Sequence, residues 1–405
     1  MVIAEELFRA ALHLTAPWYI SSINFAEGER KLDIWVDFPK GSRFPCPECN
    51  NLDCEVHDTT TRTWRHLDFF EHQTFLHGRI PRIICPHCGV RQAKVPWARE
   101  RSGFTLLMEA LMVFFAQTMQ ISQISEKLHI KDKRIWRVVA HYVEDALKKA
   151  DFSNISSVGV DETSRRKGHE YITVFADIHT GRIIFICKGK DASTLASFSD
   201  ALKEHNGIPE QIKDICCDMS PAFIKGIGEQ FPLASIIFDK FHIIKLVNEA
   251  VDEVRRVEQL LNRILKNTRY IWLKNPSSLT KKQLTELGGL KDMNLKTVRA
   301  YNIKLSLQEF WKFEDREAAE AYFKKWYYWA THSKLPAIVK AAKNLKKHWD
   351  GIISYFDNRF SNGLLEGLNS MIQSLKANAR GYRNDENFMT MIYLRQGQLK
   401  LDLPT

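Results

Sequence analysis

Two Cys-x-x-Cys knuckles, Cys46-Pro47-Glu48-Cys49 and Cys85-Pro86-His87-Cys88, constrain the fold of this chain more than any other feature. Each places two thiols on one tight turn, and two such turns complete a tetrahedral Zn2+ site. The backbone must therefore bring together two turns with 35 residues between them. That gap is longer than in a compact zinc ribbon. It holds two strand-like runs, residues 61–67 and 74–80, so a small β ribbon between the knuckles is expected. Cys46, Cys49, Cys85 and Cys88 are the expected ligands of a structural site, while Cys54 and His57 stand near enough to replace one of them. Eight cysteines in 405 residues do not make a disulfide scaffold.

The next segment reads as helices. Phe104 to Met119 forms a largely buried one, and Ile121 to Leu128 a short one with apolar residues at 121, 124 and 128. His129-Ile130-Lys131 is the turn, without a glycine, and Asp132 is placed to cap a second helix over residues 133–142. Ile135, Val138, Val139 and Tyr142 recur at helical spacing and face inward, which leaves Lys133, Arg134 and Arg137 outside. A basic outer face is what a recognition helix needs in the major groove of DNA. Lys131, Lys133, Arg134 and Arg137 are therefore expected at DNA. Of the arginines near the cysteines (62, 65, 79, 82 and 91), Arg62 and Arg65 are expected there too.

The charge balance agrees. Net charge is +10, and residues 331–405 carry half of it, with 11 Lys or Arg against 6 Asp or Glu. A polyanionic partner follows, nucleic acid rather than a membrane surface. No apolar run approaches the ~20 residues that span a bilayer. The longest, Leu106 to Ala116, is interrupted by Glu109. The stretch from Met1 to Glu6 has no basic n-region, so an intracellular protein is expected.

From Ser156 the pattern turns α/β. Val158 to Val160 reads as a buried strand ending at Asp161. Residues 171–177 and 182–186 form a hairpin around His179-Thr180-Gly181, residues 192–205 a helix, and residues 212–217 a strand ending at Asp218. Residues 235–239 are the next strand, with a helix from Phe241. Residues 250–355 break this rhythm, being helical, basic and rich in tryptophan. Glu366 then lies near the start of a helix that Ser361 or Asn362 would cap. Leu364, Leu365, Leu368, Met371, Ile372 and Leu375 make its apolar face, and Glu366, Asn369 and Gln373 the other side. Arg380 and Arg383 follow and are suited to phosphates. Three acids at strand ends and on a helix suit two divalent cations and phosphodiester chemistry. Glu162 should point to the opposite face from Asp161.

Taken together, the motifs resemble the ISL3 group of insertion-sequence transposases along essentially the whole chain. They are Val160-Asp161-Glu162, Cys217-Asp218-Met219-Ser220, Phe238-Asp239-Lys240-Phe241-His242, residues 362–369 and residues 379–383. The resemblance implies a DDE triad of Asp161, Asp218 and Glu366 holding two Mg2+ (or Mn2+) ions, with Asp239 and His242 nearby. It implies five segments: a zinc module (1–100), a helix-turn-helix (101–152), a ribonuclease-H-like core (153–250 and 356–405) and an all-helical insertion (251–355). The implied partners are double-stranded DNA, as terminal inverted repeats and target, and further copies of the chain in a dimer or larger assembly. The implied location is the nucleoid in a prokaryotic cytoplasm. A DNA-binding regulator without catalysis is the alternative.

Overall fold

The computed structural model describes residues 2–164, 171–360 and 363–404, in two compact units: residues 1–147 with 399–405, and residues 148–398. In the first unit a helix, α1 (Val2–Ala11), precedes a six-stranded sheet. Its strands are β1 (Tyr19–Ala26), β2 (Lys31–Asp37), β3 (Arg43–Phe44), β4 (Cys54–Arg65), β5 (Gln73–Cys85) and β6 (Gly89–Gln92). The order is β1-β2-β5-β4-β3, with β6 also on β5. The expected ribbon is the antiparallel β4–β5 pair, with Glu55 opposite Ile84 and Arg65 opposite Phe75. From Gln73 to Gly78 β5 alternates half-buried and buried positions, as a strand with one face in a core does. That core is aromatic, with the Trp97 ring 4.8 Å from Trp18 and 5.5 Å from Trp64.

Three helices follow, α2 (Leu106–Ala116), α3 (Ile121–Leu128) and α4 (Asp132–Lys148). The first is shorter than its apolar run, because the Thr105 side chain caps it by accepting from the Met108 N–H at 3.4 Å. Asp132 is the first residue of α4 rather than its cap. The turn needs no glycine, since His129 adopts the left-handed conformation at φ 52° and closes α3 on the Ser125 carbonyl. Glu109, which interrupts the apolar run, is fully buried. Its carboxylate accepts from Arg99 Nε at 2.8 Å, Ser102 Oγ at 2.6 Å and the Tyr142 hydroxyl at 3.1 Å. One charge thus ties the loop before α2 to α4.

The second unit contains a five-stranded sheet of β7 (Ser157–Ser164), β8 (Tyr171–Asp177), β9 (Ile183–Lys188), β10 (Asp214–Cys217) and β11 (Ser235–Phe238). The order is β11-β10-β7-β8-β9. β10 runs parallel to both β7 and β11, and β8 is antiparallel to β7 and β9. Helices α5 (Ser193–Glu204) and α6 (Pro221–Gln230) connect β9 to β10 and β10 to β11. The strand carrying Asp161 does not end there as expected. It continues to Ser164 because the hairpin with β8 extends its pairing, Asp161 standing opposite Val174. Its pairing with β10 stops earlier, at Gly159.

Next comes a long helix, α7 (Lys240–Gln259), followed by α8 (Arg269–Leu273), α9 (Lys281–Lys291), α10 (Lys296–Glu309), α11 (Arg316–Thr331), α12 (Pro336–Lys347), α13 (Trp349–Ile353) and α14 (Tyr355–Asn358). The helical stretch expected over residues 250–355 opens inside α7, which runs through residue 250 unbroken. These helices and the sheet share one core that extends from Phe152 to Phe356. Two buried charges brace them. Glu258 on α7 caps α10 by accepting from the Lys296 and Thr297 N–H groups at 2.8 and 2.7 Å. Lys304 on α10 donates to the Trp272, Leu273 and Lys274 carbonyls at the end of α8. The last helices are α15 (Gly363–Asn378) and α16 (Asp385–Gln396). Ser361 and Asn362, the expected caps of α15, lie outside the described residues. Of the expected apolar face, Leu365, Leu368, Ile372 and Leu375 are buried, and Met371 is exposed.

The Glu109 knot generates a stability prediction. In Glu109→Leu, the Arg99 guanidinium and the Tyr142 hydroxyl lose their acceptor inside the unit. Breaking a buried pair in this way should cost about 3–5 kcal/mol. It should appear as a lower urea midpoint at unchanged slope. A midpoint equal to that of the wild type would show that the knot does not hold the loop to α4.

Candidate active site and metal centre

The parallel strands β7, β10 and β11 deliver their acids to one end of the second sheet. Asp161 stands on β7 two residues beyond its last pairing with β10, Asp218 follows β10, and Asp239 follows β11. The Asp218 carboxylate accepts the Ser220 N–H at 2.9 Å, which turns the chain into α6. Asp239 is buried and caps α7, accepting the Phe241 N–H at 2.7 Å. His242, one turn into α7, holds Nε2 3.6 Å from Asp239 Oδ2. The pair named by resemblance is thus joined, and one partner has a helix end to support.

Burial pushes the Asp161 carboxyl up to about 6. The Glu162 N–H and the His242 charge pull it down, while the charges on Asp239 and Asp218 push it up further. Glu162 rises to about 7, first by burial and then by the Asp218 charge, against Lys190. Strand alternation separates the two acids. Gly159, Asp161 and Thr163 meet α15, whereas Val158 and Val160 enter the core containing Phe198 of α5. Glu162 therefore belongs to the opposite face while still feeling Asp218.

Glu366 is exposed in the first turn of α15. Its charge acts on Lys240, the first residue of α7, whose pKa burial lowers and Glu366 raises. Among the described residues, only the four cysteines form a group of three or more potential ligands whose atoms all lie within 4.8 Å of one another. The acids share one end of the sheet without closing on each other. Carboxylate oxygens are nonetheless the donors that hard divalent cations take, so Asp161 and Asp218 suit Mg2+ or Mn2+ by chemistry.

What the sequence pattern left without a role is the polar side of α15. Asn369 Nδ2 donates to Asp161 Oδ2, Gln373 Nε2 donates to Thr163 Oγ1 at 2.5 Å, and Lys376 Nζ donates to the Ser164 carbonyl at 2.7 Å. The signal was the spacing of 366, 369, 373 and 376 on one helix face. Arg380 and Arg383 are exposed in the turn after α15.

In the first unit the β4–β5 hairpin returns Cys85 to the first knuckle. Cys46, Cys49, Cys85 and Cys88 gather, with Cys49 Sγ 3.4 Å from Cys85 Sγ. A tetrahedral Zn2+ with Zn–S of about 2.3 Å spaces its sulfurs about 3.8 Å apart, so the four thiols fit. Gly89 turns the second knuckle at φ 72°. Cys54 is buried with Sγ on the Asn51 carbonyl at 3.5 Å, and His57 is turned to Asp58, so neither joins the group.

The arginines here depart from expectation. Arg65 is 6% exposed, ion-paired to Asp68 and hydrogen-bonded to the His66 and Thr74 carbonyls, so it is structural and does not face DNA. It stands on the face of β4 opposite to Trp64, where the Phe75 ring and the chain at Gly103 and Thr105 cover it. Arg79, Arg82 and Arg91 pair with Asp37, Asp58 and Glu48. Arg62 is half-buried over Trp64 and donates to the Ser102 carbonyl at 3.3 Å. Lys131, Lys133, Arg134 and Arg137 are exposed at the start of α4, with Arg134 stacked 4.1 Å from the Phe104 ring centre.

Comparison with known proteins gives one answer along the chain. Residues 158–392 match the transposase model of family ISL3. Residues 42–88 match the zinc-finger of transposases IS204/IS1001/IS1096/IS1165, and residues 93–143 the helix-turn-helix domain of transposase family ISL3. The chain is 28% identical over 372 residues to the transposase for insertion sequence element IS1557 of Mycobacterium tuberculosis, covering 85% of this chain and 83% of the relative. It is 26% identical over 372 residues to the transposase for insertion sequence element IS1001 of Bordetella parapertussis, covering 90% and 91%. No described helix is long and apolar enough to cross a membrane. The zinc-finger match and the four-thiol cluster together support a structural Zn2+.

The purified chain should therefore carry about one Zn2+, the content of a single four-thiolate site. Cys85→Ser should lose the metal and lower the melting temperature, and Cys54→Ser should retain the metal. Metal content and melting curves read both. Zinc lost with Cys54→Ser and retained with Cys85→Ser would replace one ligand by the other.

Proposed function

This chain belongs to the ISL3 family of transposases, and on that premise we propose that it binds the ends of an insertion sequence and catalyses metal-dependent strand cleavage and transfer there. The observation that carries the reading is the delivery of Asp161 and Asp218 to the ends of neighbouring parallel strands, with the Glu366 helix attached to the Asp161 strand at Asn369. The central parallel strand flanked on one side by an antiparallel hairpin supports a ribonuclease-H-like core. Within it, residues 251–355 read as a helical insertion, and α15 restores the core.

The roles divide by charge. Asp161, Asp218 and Glu366 are the cation-holding acids. When bound, two divalent cations would supply Lewis acidity, acidifying the attacking water and offsetting charge on the leaving oxygen. Asp239 holds the α7 end and His242 beside Asp161. Water attacks the phosphodiester at the element's end, the P–O3′ bond breaks, and the freed 3′ hydroxyl attacks target DNA in turn. The phosphoryl group is transferred directly between oxygens, so no covalent link to the protein is needed. Lys131, Lys133, Arg134 and Arg137 on the second helix of the helix-turn-helix are read as DNA contacts, and the helix-turn-helix match indicates DNA binding. Arg62, Arg380 and Arg383 are read as phosphate contacts. Two ends must be joined, so a dimer or larger assembly on DNA is proposed.

Labelled DNA carrying the element's own ends tests this. With Mg2+ it should be nicked at the end, and EDTA should stop the reaction. Asp161→Asn, Asp218→Asn and Glu366→Gln should each fall below about 1% of wild-type cleavage while binding stays intact. A variant that cleaves normally removes its residue from the set, and salt-sensitive binding without cleavage under any divalent metal marks a DNA-binding regulator instead. Arg137→Ala should weaken end binding and reduce its salt dependence by about one phosphate contact. An unchanged salt slope would take Arg137 off the DNA.

A further inference from the structure

Asp161 is held at both oxygens before any cation arrives. Oδ1 accepts the Glu162 N–H at 2.7 Å, and Oδ2 accepts Asn369 Nδ2 from α15. A carboxylate oxygen has two lone pairs, so each keeps one for a cation. The second bond links two segments 208 positions apart in sequence. It also lies one helical turn from Glu366 on the same side of α15. The closeness of strand and helix is built in at Gly159, where a Cβ would stand 2.8 Å from Leu365 Cδ1.

We infer that Asn369 is a positioning residue of the active site, which orients the Asp161 carboxylate and fixes the distance between Asp161 and Glu366. This rests on the proposed role of those two acids. Three features separate it from a helix-docking contact. The amide donor is neutral, so it orients the carboxylate without cancelling the charge a cation needs, as a lysine in that place would. It binds the acid itself, whereas the neighbouring rungs, Gln373 to Thr163 and Lys376 to the Ser164 carbonyl, bind a hydroxyl and a main-chain oxygen. Second, those two rungs already dock α15 on β7, so docking alone does not call for Asn369. Third, Asp161 lies among the charges of His242, Asp239 and Asp218, and fixed donors on both of its oxygens keep its orientation. Groups hydrogen-bonded to a metal-ligating carboxylate set its direction and tune its affinity.

The test is Mn2+ binding to the full chain, followed by the electron paramagnetic resonance of free Mn2+, alongside melting temperature and cleavage of end DNA in Mg2+. Alanine keeps the helix in each variant. Asn369→Ala should bind Mn2+ about 10–100-fold more weakly and cleave correspondingly slowly at limiting Mg2+. Raising Mg2+ should recover part of the rate. Gln373→Ala, the matched loss of a docking rung, should lower the melting temperature at least as much and leave Mn2+ affinity unchanged. Equal losses of Mn2+ affinity in the two variants would reduce Asn369 to a docking contact, and wild-type affinity in Asn369→Ala would remove any role. Asp161→Asn separates the two levels of the reading. If it binds Mn2+ like the wild type, the assignment of Asp161 fails and takes this inference with it. If it binds weakly while Asn369→Ala binds normally, only the inference fails.

Discussion

The acidic end of the second sheet depends on one close approach, that of α15 to β7. A helix packs on a strand at a distance set by the side chains between them, and at Gly159 there is none on the strand side. Leu365 occupies the space where a Cβ would sit. The next rungs follow from the two periodicities. Steps of three or four along the helix advance about 5–6 Å, and steps of two along the strand about 6.6 Å. Positions 365, 369 and 373 can therefore meet positions 159, 161 and 163 in turn. Replacing Gly159 by a larger residue would lift the helix and pull Asn369 from Asp161.

The same geometry explains the electrostatics. Pairing between β7 and β10 stops at Gly159, so β7 projects past that neighbour, and Asp161, still paired with β8, is half-buried on the side where β10 has ended. Asp218 and Asp239 leave their strands at the same end. The Asp161 carboxyl is raised first by burial and then by the charges of Asp239 and Asp218, because burial and like charges both disfavour ionisation. Lys190 and Lys240 stand nearby but do not cancel the acids. A doubly charged cation would remove most of this repulsion at once. That is the physical argument for treating the cluster as a cation site rather than a set of turn residues.

Much of this was legible in the chain, and the failures have a common cause. The Cys-x-x-Cys turns, the helix-turn-helix pattern and the β8–β9 hairpin are local, and their residues pattern accordingly. The acids were visible because apolar β-branched runs end near them. The strand of Asp161 was read too short because its continuation is dictated by a partner strand, not by its own apolar residues. Arg65 was taken for a surface cation, since the cover over its face of the strand comes from Phe75 and from the chain near residues 103–105, about 40 positions away. The change to helices near residue 250 was placed by composition, and no single position marks it, because α7 spans residue 250 and the helices beyond pack on the same core. Asn369 and Gln373 had visible spacing and no visible purpose, since their partners lie 208 and 210 positions away.

Buried charge elsewhere in the molecule gives a standard against which the site can be judged. Glu109 has three donors, Glu258 caps a helix with three, and Lys304 ends another on three carbonyls. Each is an ion whose burial is matched by complementary partners, which is how folded chains tolerate interior charge. Asp161 breaks the pattern. It has two fixed donors, and besides His242 the charges acting on it are those of two more carboxylates, Asp239 and Asp218. Glu162, on the other face, is raised first by burial and then by the Asp218 charge, against Lys190. Set beside those three matched ions, a gathering of acids costs stability. The departure from local self-consistency, confined to the strand ends and the α15 face, is where function is expected to reside.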